Sequence, residues 1–124
     1  MCGYVFSENK DSSFDNFKEI VKLSSLSLRG DNPVNFVELP HGHLAHSLFP
    51  VSGSSPSIQP KISENFALLY NGEIYNYKSL LREHNLDISL SDTDLLFYLI
   101  ENLGILETLS KIEGAFSMCI LSLK

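Results

Sequence analysis

Much of the fold depends on what the backbone does at Asn71-Gly72, which follows the apolar run 66–70 and precedes an aromatic-rich segment. Both residues tolerate the positive φ of a type I′ turn, so the doublet favours a plain β-hairpin. An alternative is a tight turn at the end of a buried strand. There the Asn71 side-chain amide and the Gly72 N–H could stabilise an oxyanion, with Glu73 beside them to hold a substrate ammonium.

Composition and charge narrow the function classes. The chain has 124 residues, 44% of them hydrophobic, which is enough for one domain with a core. A net charge of −6 argues against a nucleic-acid partner. No apolar run is long enough for a membrane span or a signal peptide, so no membrane partner is expected. The two cysteines, far apart in sequence, do not indicate a disulfide framework, and we expect a cytoplasmic protein.

A candidate nucleophile stands at the start of the sequence. Met1-Cys2-Gly3 opens a predicted strand over 1–6. If Met1 is removed, Cys2 carries both a thiol and an α-amine with a reference pKa of about 8, which could serve as the base for its own side chain. The alternative is an ordinary buried strand residue.

The rest of the sequence predicts alternating helices and strands. An amphipathic helix over 14–28 would be capped by Ser12 or Ser13 and ended by Arg29-Gly30, with Arg29 as a solvated cation near its end. The further predictions are strands 34–39 and 43–49, a loop 52–60, helices 75–84, 92–103 and 106–111, and a strand 115–123. Ser91 and Asp94 form a capping-box pattern, and Asp92 in that first turn would stabilise the helix dipole.

Three histidines lie close together in sequence, at His41, His43 and His46. On an extended strand His41 and His43 face the same side, which could suit a metal ion. No Cys, Asp or Glu stands near enough in sequence to complete the ligands. We therefore expect scattered or hydrogen-bonded histidines and no metal site.

Taken together, the order and spacing of several motifs resemble the glutaminase domain of asparagine synthetase, a class II glutamine amidotransferase. The matching segments are Met1-Cys2-Gly3, Arg29-Gly30, Leu44-Ala45-His46, Gln59-Pro60, Tyr70-Asn71-Gly72-Glu73-Ile74-Tyr75-Asn76, Ser91-Asp92-Thr93-Asp94 and Ile112-Glu113-Gly114-Ala115-Phe116. The resemblance implies an α+β fold, the αββα four-layer sandwich of the Ntn hydrolases. Residues 1–124 would form about its first two-thirds, a domain incomplete at its C-terminus.

The resemblance also assigns roles. Cys2 would attack the side-chain amide of glutamine, with its own amine as base and with Asn71 and Gly72 as the oxyanion hole. Glu73 and Asp92 would bind the substrate ammonium. Arg29, the third substrate-binding residue, would support the loop over the site.

Three departures from the family pattern matter. Arg29-Gly30-Asp31-Asn32 replaces Arg-Gly-Pro-Asp, and Leu48 stands where the family has an arginine for the glutamine α-carboxylate. The synthetase domain, which would use ATP and magnesium, is missing, so no cofactor is expected in this chain. The main hypothesis is a glutaminase that supplies ammonia to a missing synthetase domain or partner for amidation of aspartate. The alternatives are a non-catalytic domain with a binding or assembly role, and a poorly folding fragment with an exposed sheet edge.

Overall fold

The computed structural model describes residues 2–8, 13–31, 33–49 and 57–124. The strands are β1 (Gly3–Glu8), β2 (Asn35–Leu39), β3 (Gly42–Ser47), β4 (Lys61–Ile62), β5 (Phe66–Ile74) and β6 (Gly114–Ser122). The helices are α1 (Phe14–Leu23), α2 (Tyr77–Glu83), α3 (Asp92–Leu103) and α4 (Ile105–Lys111), with a 3-10 turn at Ser25–Leu28. None of these helices is long and apolar enough to cross a membrane.

The described strands form two antiparallel sheets of three strands each. Sheet A has the order β1-β3-β2 and sheet B the order β4-β5-β6. In sheet A, Gly3 lies opposite Ser47, so the start of β1 meets the end of β3. In sheet B, β5 pairs with β6 along its whole length. The α+β prediction is confirmed.

Successive side chains of the central strands point to opposite faces, and they form three separate apolar clusters, one at each interface between layers. Phe17 and Val21 of α1 pack against Ala45 on the outer face of sheet A. Between the sheets, Leu44 meets Leu69. On the other face of β5, three residues pack against helices α2 and α3, namely Phe66, Leu68 and Tyr70. The layers therefore run helix, sheet, sheet, helix, as period-two alternation on two doubly covered sheets requires.

The predicted turn at Asn71-Gly72 is wrong, both as a hairpin and as a tight turn. Strand β5 continues through the doublet, with Asn71 opposite Ser117 and Gly72 opposite Phe116 of β6. Gly72 has φ +150°, and a Cβ there would lie 2.3 Å from the Ala115 carbonyl oxygen. The glycine therefore serves a close approach of two strands and not a reversal of the backbone.

Helix ends follow the hydrogen bonds of capping serines. Ser13 Oγ accepts from the Asn16 N–H at 3.2 Å and begins α1, whereas Ser12 lies outside the described residues. The predicted helix 14–28 is interrupted after Leu23, because Ser24 Oγ donates to the Val21 carbonyl at 2.6 Å and accepts from the Leu26 N–H at 3.2 Å. The capping box of α3 is confirmed.

The remaining boundaries agree with the sequence patterns to within a few residues. β2 and β3 correspond to the predicted strands 34–39 and 43–49, α2 to 75–84, α4 to 106–111 and β6 to 115–123. Helix α3 ends at Gly104, which has φ +81°. In the predicted loop 52–60, residues 52–56 lie outside the described part of the protein.

The three histidines do not share a site. His41 is exposed in the turn between β2 and β3, whereas His43 is buried with its ring centroid 5.2 Å from that of Phe14. His46 points to the other face of β3, where its Nε2 lies 3.2 Å from the Tyr70 carbonyl oxygen. Burial lowers the pKa of His46, against the opposing effect of that hydrogen bond. Among the described residues, no group of three potential ligands is placed to hold a metal ion.

Candidate active site

Cys2 lies where β1 begins and β3 ends, and its thiol is tied to the backbone of Phe49. The Phe49 N–H donates to Cys2 Sγ at 3.1 Å, and Sγ donates to the Phe49 carbonyl oxygen at 3.2 Å. These contacts arise because the pairing of β1 with β3 brings the residue before Gly3 alongside the residues after Ser47. The position of the thiol is therefore set by two strand ends.

Two neighbouring cavities adjoin this thiol. Both are bordered by Cys2, Phe49 and Gly72. The larger has a volume of about 520 Å³ and is also lined by Asn71 and Glu73. The smaller, of about 20 Å³, is lined by residues 91–93, Leu48, Ser57, Gln59 and Tyr70. Gly72 has no side chain, so it contributes only backbone atoms to the lining of both cavities.

The structure thus gathers five of the six residues that the sequence singles out. Cys2 lies with Asn71, Gly72 and Glu73 on the larger cavity, and with Gly72 and Asp92 on the smaller one. Asp92, on α3, lines the smaller cavity. Glu73 lies on β5, as Asn71 does, and both line the larger cavity. Arg29 does not line either cavity.

Arg29 contacts the backbone of Cys2 and not the cavities themselves. Its Nε donates to the Cys2 carbonyl oxygen at 3.2 Å. The following residues contact the other strand end, since the Asp31 N–H donates to the Leu48 carbonyl oxygen at 3.1 Å. A Cβ on Gly30 would lie 2.4 Å from that oxygen, so only glycine allows this approach. Segment 29–31 therefore joins both strands that carry the thiol site.

Asp92 is buried, with 3% of its surface exposed, and its carboxylate accepts several hydrogen bonds. Oδ2 accepts from the Tyr70 hydroxyl at 2.9 Å and from the Ile74 N–H at 3.1 Å. Oδ1 accepts from the Thr93 N–H at 2.9 Å. A carboxylate removed from water needs such donors, and the first turn of α3 adds its dipole. The residue thus ties α3 to β5 while lining the cavity.

Tyr70 is a site residue that sequence reasoning noted only as the first residue of a matching segment, with no role of its own. Burial raises its pKa far above the usual range, and the negative charge of Asp92 adds to the shift, with smaller contributions from Glu73 and Cys2. The hydroxyl therefore remains a donor to Asp92 at neutral pH. An aromatic residue in an apolar run gives no sequence signal of such a contact.

Gln59 was singled out only as part of a matching motif, and the structure gives it a specific position. Its Oε1 accepts from the Tyr70 N–H at 2.6 Å, and its carbonyl oxygen accepts from Asn35 Nδ2 at 2.6 Å. Strand β4 pairs with β5 only at Lys61 and Ile62. The Gln59 side chain thus supplies a partner to β5 beyond the end of β4, beside the smaller cavity.

A family model described as a glutamine amidotransferase domain matches residues 1–124. The chain belongs to this family. A search of curated proteins found no match. Around the two adjoining cavities lie a cysteine, a side-chain amide and two carboxylates.

Proposed function

We propose that this amidotransferase domain is the glutaminase part of an asparagine synthetase-like protein with an Ntn-hydrolase fold. The observation that carries the proposal is the shared border of the two cavities. Cys2 lines the larger cavity together with Asn71 and Gly72, and it lines the smaller cavity together with Asp92. The layered order of helices and sheets agrees with the fold.

The proposed reaction uses Cys2 as nucleophile once Met1 has been removed. The Cys2 α-amine takes the thiol proton, and Sγ forms a bond to the amide carbon of the glutamine side chain. The bond from that carbon to the amide nitrogen breaks, and the nitrogen leaves as ammonia with the proton that the amine returns. Water then hydrolyses the thioester and yields glutamate and the free thiol.

Asn71 and Gly72 are proposed as the donors to the oxyanion that forms during both steps. Removing one such donor typically costs about 2.7–4 kcal/mol of transition-state stabilisation. Glu73 and Asp92 are proposed to attract the α-ammonium of the substrate, each from its own cavity. Arg29 would act indirectly, since its hydrogen bond to the Cys2 carbonyl fixes the backbone that carries the nucleophile.

The ammonia would pass to a synthetase domain or partner protein that amidates aspartate with ATP and magnesium, in the cytoplasm. The support for this context is the segment Asn71–Asn76, the most specific part of the resemblance. The residues of this domain would need no cofactor for their half of the reaction.

The test is the intact mass of the purified protein before and after reaction with an electrophilic glutamine analogue. We expect loss of Met1 and one adduct at Cys2 that excess glutamine blocks. Cys119 is the internal control, because burial raises its pKa and makes its thiolate scarce. A Cys119→Ala variant should therefore label like the native protein, whereas Cys2→Ser should not label.

A second candidate is a non-catalytic domain with a binding or assembly role. Two observations favour it: an apolar side chain, Leu48, lines the smaller cavity, and the Cys2 thiol is engaged by the Phe49 backbone. If Cys2 is freed from Met1 and still takes no adduct, this second candidate is favoured over the glutaminase.

A further inference from the structure

The charged side chains that line the two cavities are of one sign. Glu73 lines the larger cavity and Asp92 the smaller, with Cys2 on both. Among the described residues that line them, none is Lys, Arg or His. Asp92 is buried, and in such low-dielectric surroundings a carboxylate attracts an ammonium and repels another carboxylate, whereas the exposed Glu73 acts more weakly through water.

Leu48 adds an apolar wall beside Asp92 in the smaller cavity. Free glutamine carries an ammonium and a carboxylate on one carbon atom. Bringing its ammonium to Asp92 or Glu73 therefore also brings its carboxylate close to like charges, and Leu48 has no donor to compensate for the lost water. A glutaminyl group whose α-carbonyl is a neutral amide keeps the attraction and avoids this repulsion.

The larger cavity offers space and contacts for a substituent on the nitrogen of such an amide. Its volume is about 520 Å³, and cavities of about 300–1,000 Å³ hold ligands larger than a single amino acid. Three aromatic residues line it, namely Phe49, Tyr75 and Phe116. Phe49 and Tyr75 are also among the exposed large apolar side chains, with Tyr75 67% exposed. Aromatic surface at a cavity mouth suits an apolar group on the substrate.

We propose that the pocket prefers glutaminyl compounds with a neutral amide in place of the α-carboxylate, such as glutamine at the N-terminus of a peptide followed by an apolar residue, over free glutamine. The inference rests on the proposed thioester chemistry at Cys2. The balance is unchanged: the carbon–nitrogen bond of the side-chain amide breaks, ammonia leaves, and water restores the thiol and yields the glutamyl product.

The experiment measures ammonia release from four compounds with the purified protein after Met1 removal is confirmed by mass. They are glutamine, glutamine α-methylamide, glutaminyl-phenylalanine methylamide and N-acetylglutamine methylamide. Cleavage at the α-amide of glutamine would release methylamine or phenylalanine methylamide, and reactions without enzyme correct for the ammonia that N-terminal glutamine loses on cyclisation. We expect kcat/KM to be at least tenfold higher for the methylamide than for glutamine, and higher again for the phenylalanine compound. N-acetylglutamine methylamide, which lacks the ammonium, should react poorly.

The variant Leu48→Arg tests whether the lack of a positive charge at this position causes the preference. Leu48→Met is the matched control, because it keeps an apolar side chain of similar volume. The arginine should raise kcat/KM for glutamine and lower it for the methylamide, whereas methionine should preserve the native preference. The same ranking should hold for protection of Cys2 against alkylation, which needs no turnover.

Each result has one meaning. A native protein that uses or binds glutamine as well as the methylamide would overturn the inference and leave the glutaminase proposal standing. Ammonia from none of the compounds, with no protection of Cys2, would overturn both. A preference for the methylamide that Leu48→Arg does not reduce would overturn the charge argument and with it the inference.

Discussion

The Tyr70 hydroxyl donates a hydrogen bond of 2.9 Å to Asp92 Oδ2, and so links the middle of sheet B to the start of α3. The same oxygen accepts from the Ile74 N–H, so one carboxylate joins two positions of β5. Both ends of this link are buried. A buried hydrogen bond to a charged group contributes more than a neutral one, because neither partner can turn to water instead.

Tyr70→Phe should lower the free energy of unfolding by about 1.5–3 kcal/mol, the range for a hydrogen bond to a charged group. Chemical denaturation followed by circular dichroism measures it. Tyr75→Phe is the matched control. The Tyr75 side chain is 67% exposed, so loss of its hydroxyl should change the free energy of unfolding by less than about 0.5 kcal/mol. Equal losses in the two variants would show that the Tyr70 hydroxyl does not stabilise the fold.

Gly72→Ala should be strongly destabilising because the new Cβ would lie 2.3 Å from the Ala115 oxygen and 2.5 Å from Phe116 Cα. Backbone atoms of a paired strand cannot move aside without opening the ladder, and we expect a loss of about 2 kcal/mol or more. Gly104→Ala separates the two causes. It also has positive φ, +81°, but nothing lies within 4 Å of its Cβ position. A larger loss at Gly104 would contradict the steric argument.

Asp94 should make stability depend on pH. Burial is the largest influence on its pKa and raises it, but hydrogen bonds from Lys61, Ser91 and Ser57 together lower the pKa below 3.8. The unfolded state then holds more protons at acid pH. The stabilisation is therefore complete above the unfolded pKa and is lost as the pH falls through the folded one.

Asp94→Asn removes that titration. Unfolding titrations at pH 7, 5 and 3 should show a smaller fall in stability on acidification than in the native protein. Asp87→Asn is the comparison: the pKa of Asp87 is also lowered, by its hydrogen bonds with Ser89, but its side chain is exposed, so solvent screening should make its effect on the pH dependence smaller than that of Asp94→Asn. Parallel curves for the native and Asp94→Asn proteins would refute the assignment.

The contact between the sheets can be tested at Leu69, which is fully buried against Leu44 and Ala67. Leu69→Ala should cost about 2–5 kcal/mol, since the cavity adds to the lost transfer free energy. Leu106→Ala, at a side chain 84% exposed on α4, should change stability by less than about 0.5 kcal/mol. Thermal unfolding of both variants at one pH gives the comparison.

Local patterns predicted local structure well. The capping box at Ser91 and Asp94 and the glycine after α3 are encoded within a few residues, and the structure shows both. The turn at Asn71-Gly72 failed for the opposite reason. Its conformation is decided by β6, which lies far along the sequence, and local turn propensity cannot register such a partner.

The candidate site was predicted unevenly. The residues alone suggested catalytic roles for Cys2 and Asn71 but left structural roles open, and the resemblance then favoured the catalytic ones. The bond between Tyr70 and Asp92 and the contact of Gln59 with the Tyr70 N–H join distant parts of the sequence. Such pairs obey no spacing rule, so only three-dimensional coordinates display them.

Strand β5 carries consequences for any mutational survey of this protein. Its side chains contribute to the helical layer at Leu68, to the space between the sheets at Leu69, and to the Cys2 cavity at Asn71 and Glu73. A deep scan that scores abundance and ammonia release separately should find one continuous intolerant band over 66–74. The reason for intolerance should differ along it: loss of protein at the first five positions, at Gly72 and at the buried Ile74, and loss of turnover at Asn71 and Glu73.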